Sequence, residues 1–172
     1  MVKRVTAGIC VLVILICLAS CGASEENYAL MLNETDISEG TLTAERDTHG
    51  GFHGDGLFYS SFLFEGESRE RFGRELSVNE SWHALPLSET LSIAAYGGMY
   101  NDVSYGILLA FSDGDECNLP EVQNGYWYFV DRHPKAVNME SSDELLSRYS
   151  YNFVFAIYDC DTGILSYYRL DT

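Results

Sequence analysis

The chain has 172 residues, 47% of them hydrophobic and 21% charged, and 26 acidic against 10 Lys and Arg residues leave a formal charge of −16. A field of that sign repels phosphate polymers, which speaks against nucleic acid as a partner, and the length suits one domain that can bury a core without staples. Aromatic residues reach 13%, with 12 tyrosines, a bias toward strands and a β-rich interior.

Lys3 and Arg4 open the chain, an apolar run follows from Ile9 to Leu18, and small residues lead into Cys21 and Gly22. A charged start, an apolar middle and a small-residue end are the parts of a secretory signal. A membrane-spanning helix would need about 20 apolar residues, and this run is shorter and gives way to acidic sequence. Leu18-Ala19-Ser20-Cys21 resembles the box of bacterial lipoproteins. The resemblance implies that residues 1–20 are removed, that Cys21 carries fatty acyl chains such as palmitate, and that the protein sits at the extracytoplasmic face of the cell membrane. Each buried acyl CH₂ contributes ~0.8 kcal/mol, so two or three chains hold a protein where one does so marginally. Loss of Lys3 and Arg4 with the leader takes the formal charge from −16 to −18.

Residues 21–45 are polar and acidic and read as a lipidated tether of ~25 Å root-mean-square reach. They are interrupted by Tyr28-Ala29-Leu30-Met31-Leu32, a possible edge strand. The remainder, 46–172, reads as one domain. Asp47 to Gly56 contains four glycines and is a sharply turning loop. Leu57 to Phe64 reads as a buried strand and Glu67 to Leu76 as a short amphipathic helix, with Glu67–Arg71 and Glu70–Arg74 spaced for ion pairs. Trp82 to Leu87 is extended, because Pro86 disfavours helix before it. Ser88 caps a short helix that ends at Gly97-Gly98.

Ile107 to Phe111 is expected to be a short strand, Ser112 to Gly125 an acidic loop, and Tyr126 to Val130 a strand. Ser141 with Glu144 three positions on predicts a capped helix over Ser142 to Arg148. Tyr151 to Tyr158 and Ile164 to Leu170 predict a hairpin turned by Asp159-Cys160-Asp161-Thr162-Gly163. Tyr151, Phe153, Phe155 and Ile157 lie on one face of its first strand, Val154, Ala156 and Tyr158 on the other. Both faces are apolar, so that strand belongs inside the sheet. The fold class is α+β, a mainly antiparallel sheet of five or six strands with two or three short helices in a single domain.

The Asp47–Gly56 loop, Trp82 with Leu85-Pro86-Leu87, Asn124 to Phe129 leading to Asp131-Arg132-His133, and Arg148 to Phe153 resemble a family of small exported proteins of Gram-positive bacteria. The resemblance implies that residues 45–172 form one unit, and it lends no catalytic residues.

His49 and His53 could coordinate a borderline metal ion with Asp47 or Asp55, and His133 beside Asp131 could be a third ligand or a general base. The competing reading is a hydrogen-bonded turn, since His-x₃-His shares one face only on a helix and the glycines exclude a helix there. Cys117 and Cys160 are the cysteines left after Cys21, either a disulfide or two buried thiols. Asp113 to Glu116 and Asp159 to Gly163 lack the ligand series of a calcium loop. The aromatic runs read as core before they read as a sugar or peptide platform. No Gly-x-Ser-x-Gly, His-Glu-x-x-His, P-loop or dinucleotide pattern occurs. The expected function is a membrane-anchored envelope lipoprotein that binds a peptide, glycan or protein without catalysis and without a resident cofactor. The rival is a metal-binding or metal-dependent hydrolytic domain built on His49, His53, Asp55 and His133.

Overall fold

The computed structural model describes residues 28–50, 54–111, 119 and 121–172. Cys21, His53, Cys117 and most of the acidic loop after Phe111 lie outside the described residues. The fold is α+β and mostly antiparallel sheet. Eight strands are described: β1 (Thr41–Asp47), β2 (Gly56–Leu63), β3 (Trp82–Ala84), β4 (Gly98–Tyr100), β5 (Val103–Tyr105), β6 (Gly125–Asp131), β7 (Asn152–Asp159) and β8 (Ile164–Asp171). The helices are α1 (Tyr28–Met31), α2 (Gly66–Val78) and α3 (Glu89–Tyr96), with a 3₁₀ turn at Leu145–Ser147. Six strands form one sheet in the order β1-β2-β8-β7-β6-β3, and β4 pairs only with β5.

The β7–β8 hairpin forms at the expected place. Gly163 takes a φ of 76°, and its N–H bonds the Asp159 carbonyl at 2.8 Å. β7 lies between β8 and β6, and Phe153 to Tyr158 are all at most 1% exposed. Register then aligns rings across strands. Tyr59, Tyr168, Phe155 and Phe129 follow one another over four strands on one face, while Tyr167, Ala156, Tyr128 and Trp82 do so on the other. Such cross-strand neighbours are the unit by which a sheet is stabilised. Tyr59 and Tyr168 have ring centroids 5.0 Å apart, and Trp82 and Tyr128 5.5 Å.

Each face needs a cover. On the first, α3 supplies Leu91, Ala94 and Ala95, joined by Leu109, Phe111 and Leu145. On the second, α2 supplies Phe72 and Leu76, joined by Leu32. Ser88 caps α3 as expected, accepting the Leu91 N–H at 3.3 Å.

Five expectations need correction. Tyr28–Met31 is a helical turn and not an edge strand, and residues 28–45 are part of the fold and not a tether. Leu32 is fully buried, Tyr28 packs edge-on against Phe62 and Tyr167, and the Thr35 hydroxyl accepts the Trp82 indole N–H at 3.0 Å. Ile107–Phe111 is irregular. Leu108, Leu109 and Phe111 plug the first face while Ile107 stays exposed, the Leu108 N–H bonds the Ala94 carbonyl, and a β4–β5 hairpin turned by Asn101 and Asp102 at positive φ precedes it. The helix expected over Ser142–Arg148 shrinks to one 3₁₀ turn, because Ser142 bonds Ser88 and Thr90 and Arg148 is drawn to Asp131. Arg71 pairs with Glu39 at 2.6 Å and not with Glu67, whereas Arg74–Glu70 forms at 3.8 Å on the surface.

Leu32→Ala tests whether residues 28–40 belong to the core. The expected loss is about 2–5 kcal/mol of unfolding free energy in urea, as for other buried leucines, where a tether residue would lose none.

Candidate functional site

The register brings the ends of five strands to one end of the sheet. Asp47 pairs with Phe58, Gly56 and Asn152 both pair with Asp171, and Asp131 pairs with Phe153. His49 and His133 both lie there, in two separate networks.

Asp131 is 1% exposed at the end of β6. One carboxylate oxygen accepts the His133 backbone N–H at 3.0 Å, and the other pairs with the Arg148 guanidinium. The His133 Nδ1 accepts the Lys135 backbone N–H at 3.2 Å, so the ring proton sits on Nε2 and is donated to Ser150 Oγ, 3.1 Å away. Ser150, His133 and Asp131 thus have the composition of a catalytic triad with the wrong connections. The ring gives a proton to serine instead of accepting one, and the aspartate holds backbone and arginine instead of the ring. Its effect is to pin the chain between β6 and β7.

His49 is held at both ring nitrogens by carboxylates, Nδ1 by Asp47 Oδ1 at 2.5 Å and Nε2 by Asp171 Oδ2 at 3.1 Å. Burial pushes the Asp47 carboxyl up, but the His49 N–H and ring and the Arg169 charge outweigh it and hold the group below its ordinary value. Asp55 is exposed. His49 and His133 spend their ring nitrogens on different partners and lie in separate networks, while His53, the other histidine of the expected ligand set, lies outside the described residues. Among the described residues no group of three or more His, Cys, Asp or Glu is placed to hold a metal ion.

Cys160 is a free thiol. Burial first, then Asp159 and Asp161, push that thiol up, which keeps it protonated and a poor nucleophile. The Asp159 carboxylate is spent on the turn, accepting the Asp161 N–H at 2.9 Å and the Thr162 hydroxyl at 2.8 Å, as turn chemistry requires.

The aromatic runs are largely core, with Tyr128, Phe129, Phe153, Phe155 and Tyr158 at most 4% exposed. Trp127 is only half-buried; it donates its indole N–H to the Pro86 carbonyl at 3.3 Å and lies 4.5 Å from the His83 ring. Beside Trp127 is an open cleft of 370 Å³ lined by Leu85, Pro86, Leu87, Tyr96 and Val122 together with Ser92, Glu121 and Gln123. Leu85-Pro86-Leu87 is legible as extended chain, but nothing in its spacing tells that α3 and Val122 complete a cleft against it. Arg148 and Asp171 are the functional-type side chains that sequence reasoning misses. Their partners lie 17 and 122 positions away. Comparisons with family models, with curated proteins and with solved structures give no match.

Two measurements check this geometry. Arg148→Met leaves the Asp131 carboxylate buried without its counter-charge, and the expected cost is about 3–5 kcal/mol by urea unfolding. Burial, with Glu140 behind it, pushes the Tyr128 hydroxyl up to about 12, and burial with Cys160 and Asp159 does the same to Tyr158. The unfolded chain ionises near 10, so stability from these groups is complete below that pH and is lost as pH rises from about 10 toward 12. Tyr128→Phe and Tyr158→Phe should each flatten that alkaline fall.

Proposed function

We propose that this chain is a lipid-anchored lipoprotein of the cell envelope, whose residues 28–172 form one domain that binds a peptide, glycan or protein partner rather than catalysing a reaction. The observation that carries the reading is Leu18-Ala19-Ser20-Cys21 behind a basic start and an apolar run. Six residues separate Cys21 from Tyr28. Even fully extended they keep the acylated sulfur within ~25 Å of the folded domain, so the domain works close to the membrane. The acidic charge favours solubility and repels anionic headgroups within a screening length of ~10 Å, which leaves acyl burial as the attachment.

Binding is supported by the cleft between Leu85-Pro86-Leu87 and Tyr96. Its mixed lining, Leu85, Pro86, Leu87, Tyr96 and Val122 with Ser92, Glu121 and Gln123 among them, suits an extended ligand with both polar and apolar groups. Histidine and aspartate side chains at the sheet end are committed to bonds within the fold, which is the economy of a scaffold more than of an active site.

Cys21→Ser should abolish lipid labelling and processing and release the protein from sedimented membranes. A variant that still sediments in its normal processed form would refute the anchor. The binding half is checked separately with a Tyr96→Ala and Leu87→Ala pair. The pair should lose at least tenfold in capture of the envelope component retained by the wild-type domain, with its urea midpoint little changed.

A further inference from the structure

Strand β3 forms one free edge of the six-stranded sheet, and its backbone is only half spent. The Leu85 N–H bonds the Gly125 carbonyl at 3.1 Å, in the same register that sets His83 opposite Trp127. Antiparallel strands alternate the side to which successive residues turn their polar groups. His83 and Leu85 therefore face β6, and Trp82 and Ala84 face away from it. The Trp82 N–H is taken by the Asn79 carbonyl at 3.0 Å, which leaves the Trp82 carbonyl and the N–H and carbonyl of Ala84 turned outward. His83 and Ala84 are exposed, and no strand of the described residues lies beyond them.

The chain on either side of β3 opens into a hollow. Ser81 and His83 help to line one of 180 Å³ to which Glu140 also contributes. Leu85, Pro86 and Leu87 line the 370 Å³ cleft that holds Glu121. The run from Ser81 to Leu87 thus carries outward backbone groups at its centre and a hollow toward each end. Charge along this part of the chain has one sign. No Lys or Arg occurs between Arg74 and Arg132, whereas exposed Glu80 and Glu89 flank the run. The other free edge, β1, carries Glu45, Arg46 and Asp47 and a bulge between Leu42 and Ala44, devices that discourage an added strand.

We propose that the β3 edge is a strand-addition site for a short, extended, basic peptide, whose backbone pairs with Ala84 and whose side chains reach the two hollows. The inference rests on the binding role proposed above and names the class of partner. An extended peptide offers N–H and C=O groups in alternation along one side, the pattern that Trp82 and Ala84 present. Main-chain bonds of this kind supply affinity, and pockets beside them select side chains. A glycan has no such alternation. Pro86 lacks an N–H and ends the pairing edge, so the added segment is short. A second copy of this chain would bring the same acidic charge to the same edge and be repelled, whereas lysine or arginine side chains are drawn to it.

Amide hydrogen exchange of the ¹⁵N-labelled purified protein, with and without a short peptide that alternates valine and lysine, tests the site directly. In the free protein the Ala84 amide should exchange freely while those of His83 and Leu85 are protected. The peptide at saturation should slow Ala84 exchange by about tenfold, and a counterpart that alternates valine and glutamate should not. Ala84→Pro removes the outward N–H and keeps the bonds of His83 and Leu85 to β6. It should weaken binding of the valine–lysine peptide by about fivefold to tenfold, and Ala84→Val should not. An Ala84 amide already protected in the free protein, no binding of the basic peptide, equal binding of the acidic one, or equal affinity for Ala84→Pro would overturn strand addition. So would loss of capture by the Tyr96→Ala and Leu87→Ala pair with none by Ala84→Pro, a result that leaves the cleft reading standing. If Ala84→Pro fails to fold, Ala84 exchange in the wild type with the two peptides decides alone.

Discussion

Strand β7 is buried on both sides, and the rest of the molecule answers that requirement. Six consecutive residues from Phe153 to Tyr158 are withdrawn from water, three to each face, so the sheet must have strands on both flanks of β7 and cover above and below. The antiparallel neighbours β6 and β8 satisfy the backbone, and two separate apolar layers satisfy the side chains. One layer is helix α3 with the irregular plug around Leu109 and Phe111, and the other is α2 with the N-terminal segment around Leu32. Removing apolar area from water at roughly 25 cal/mol per Å² is what makes segments with little intrinsic helix or strand preference adopt these places.

The same requirement explains the N-terminal segment. A polar, acidic stretch with one short apolar cluster lacks the periodicity of any element, yet Leu32, Thr35 and Tyr28 fill the half of the second face that α2 leaves open. Under the proposed acylation of Cys21, only the six residues up to Tyr28 would separate the anchor from this layer. The cleft beside α3, with a lining of mixed polarity, is one of several concave regions among the described residues.

The end of the sheet where five strands stop concentrates the polar side chains that resemble chemistry. Two clusters there look catalytic by composition and are structural by connection. Proton direction decides the His133 case: the Lys135 N–H occupies Nδ1, which forces the other nitrogen to donate. Acceptor number decides the His49 case, with a carboxylate at each nitrogen. Both tie loops to strand ends that would otherwise fray, and both do so through charged or charge-assisted bonds, which are about twice as strong as neutral ones.

By itself the sequence determined whatever local chemistry decides: the β7–β8 hairpin with Gly163 at its turn, the two-sided burial of β7, the Ser88 cap and the amphipathic α2. Period, turn residues and caps act within a few positions, so they survive the loss of three-dimensional context. Only the tertiary structure decided whether Ile107–Phe111 became a strand or a plug, whether Ser142–Arg148 continued as a helix, and whether Tyr28–Leu32 lay at an edge or over a face. In each case an apolar run of five or so residues, or a single hydroxyl, was satisfied by a partner dozens of positions away. Ser142 on Ser88 and Thr90 is the plainest instance. The pairing of His49 with Asp171 belongs there too, because it exists only where β8 returns to the start of β2, and no spacing along the chain encodes that meeting.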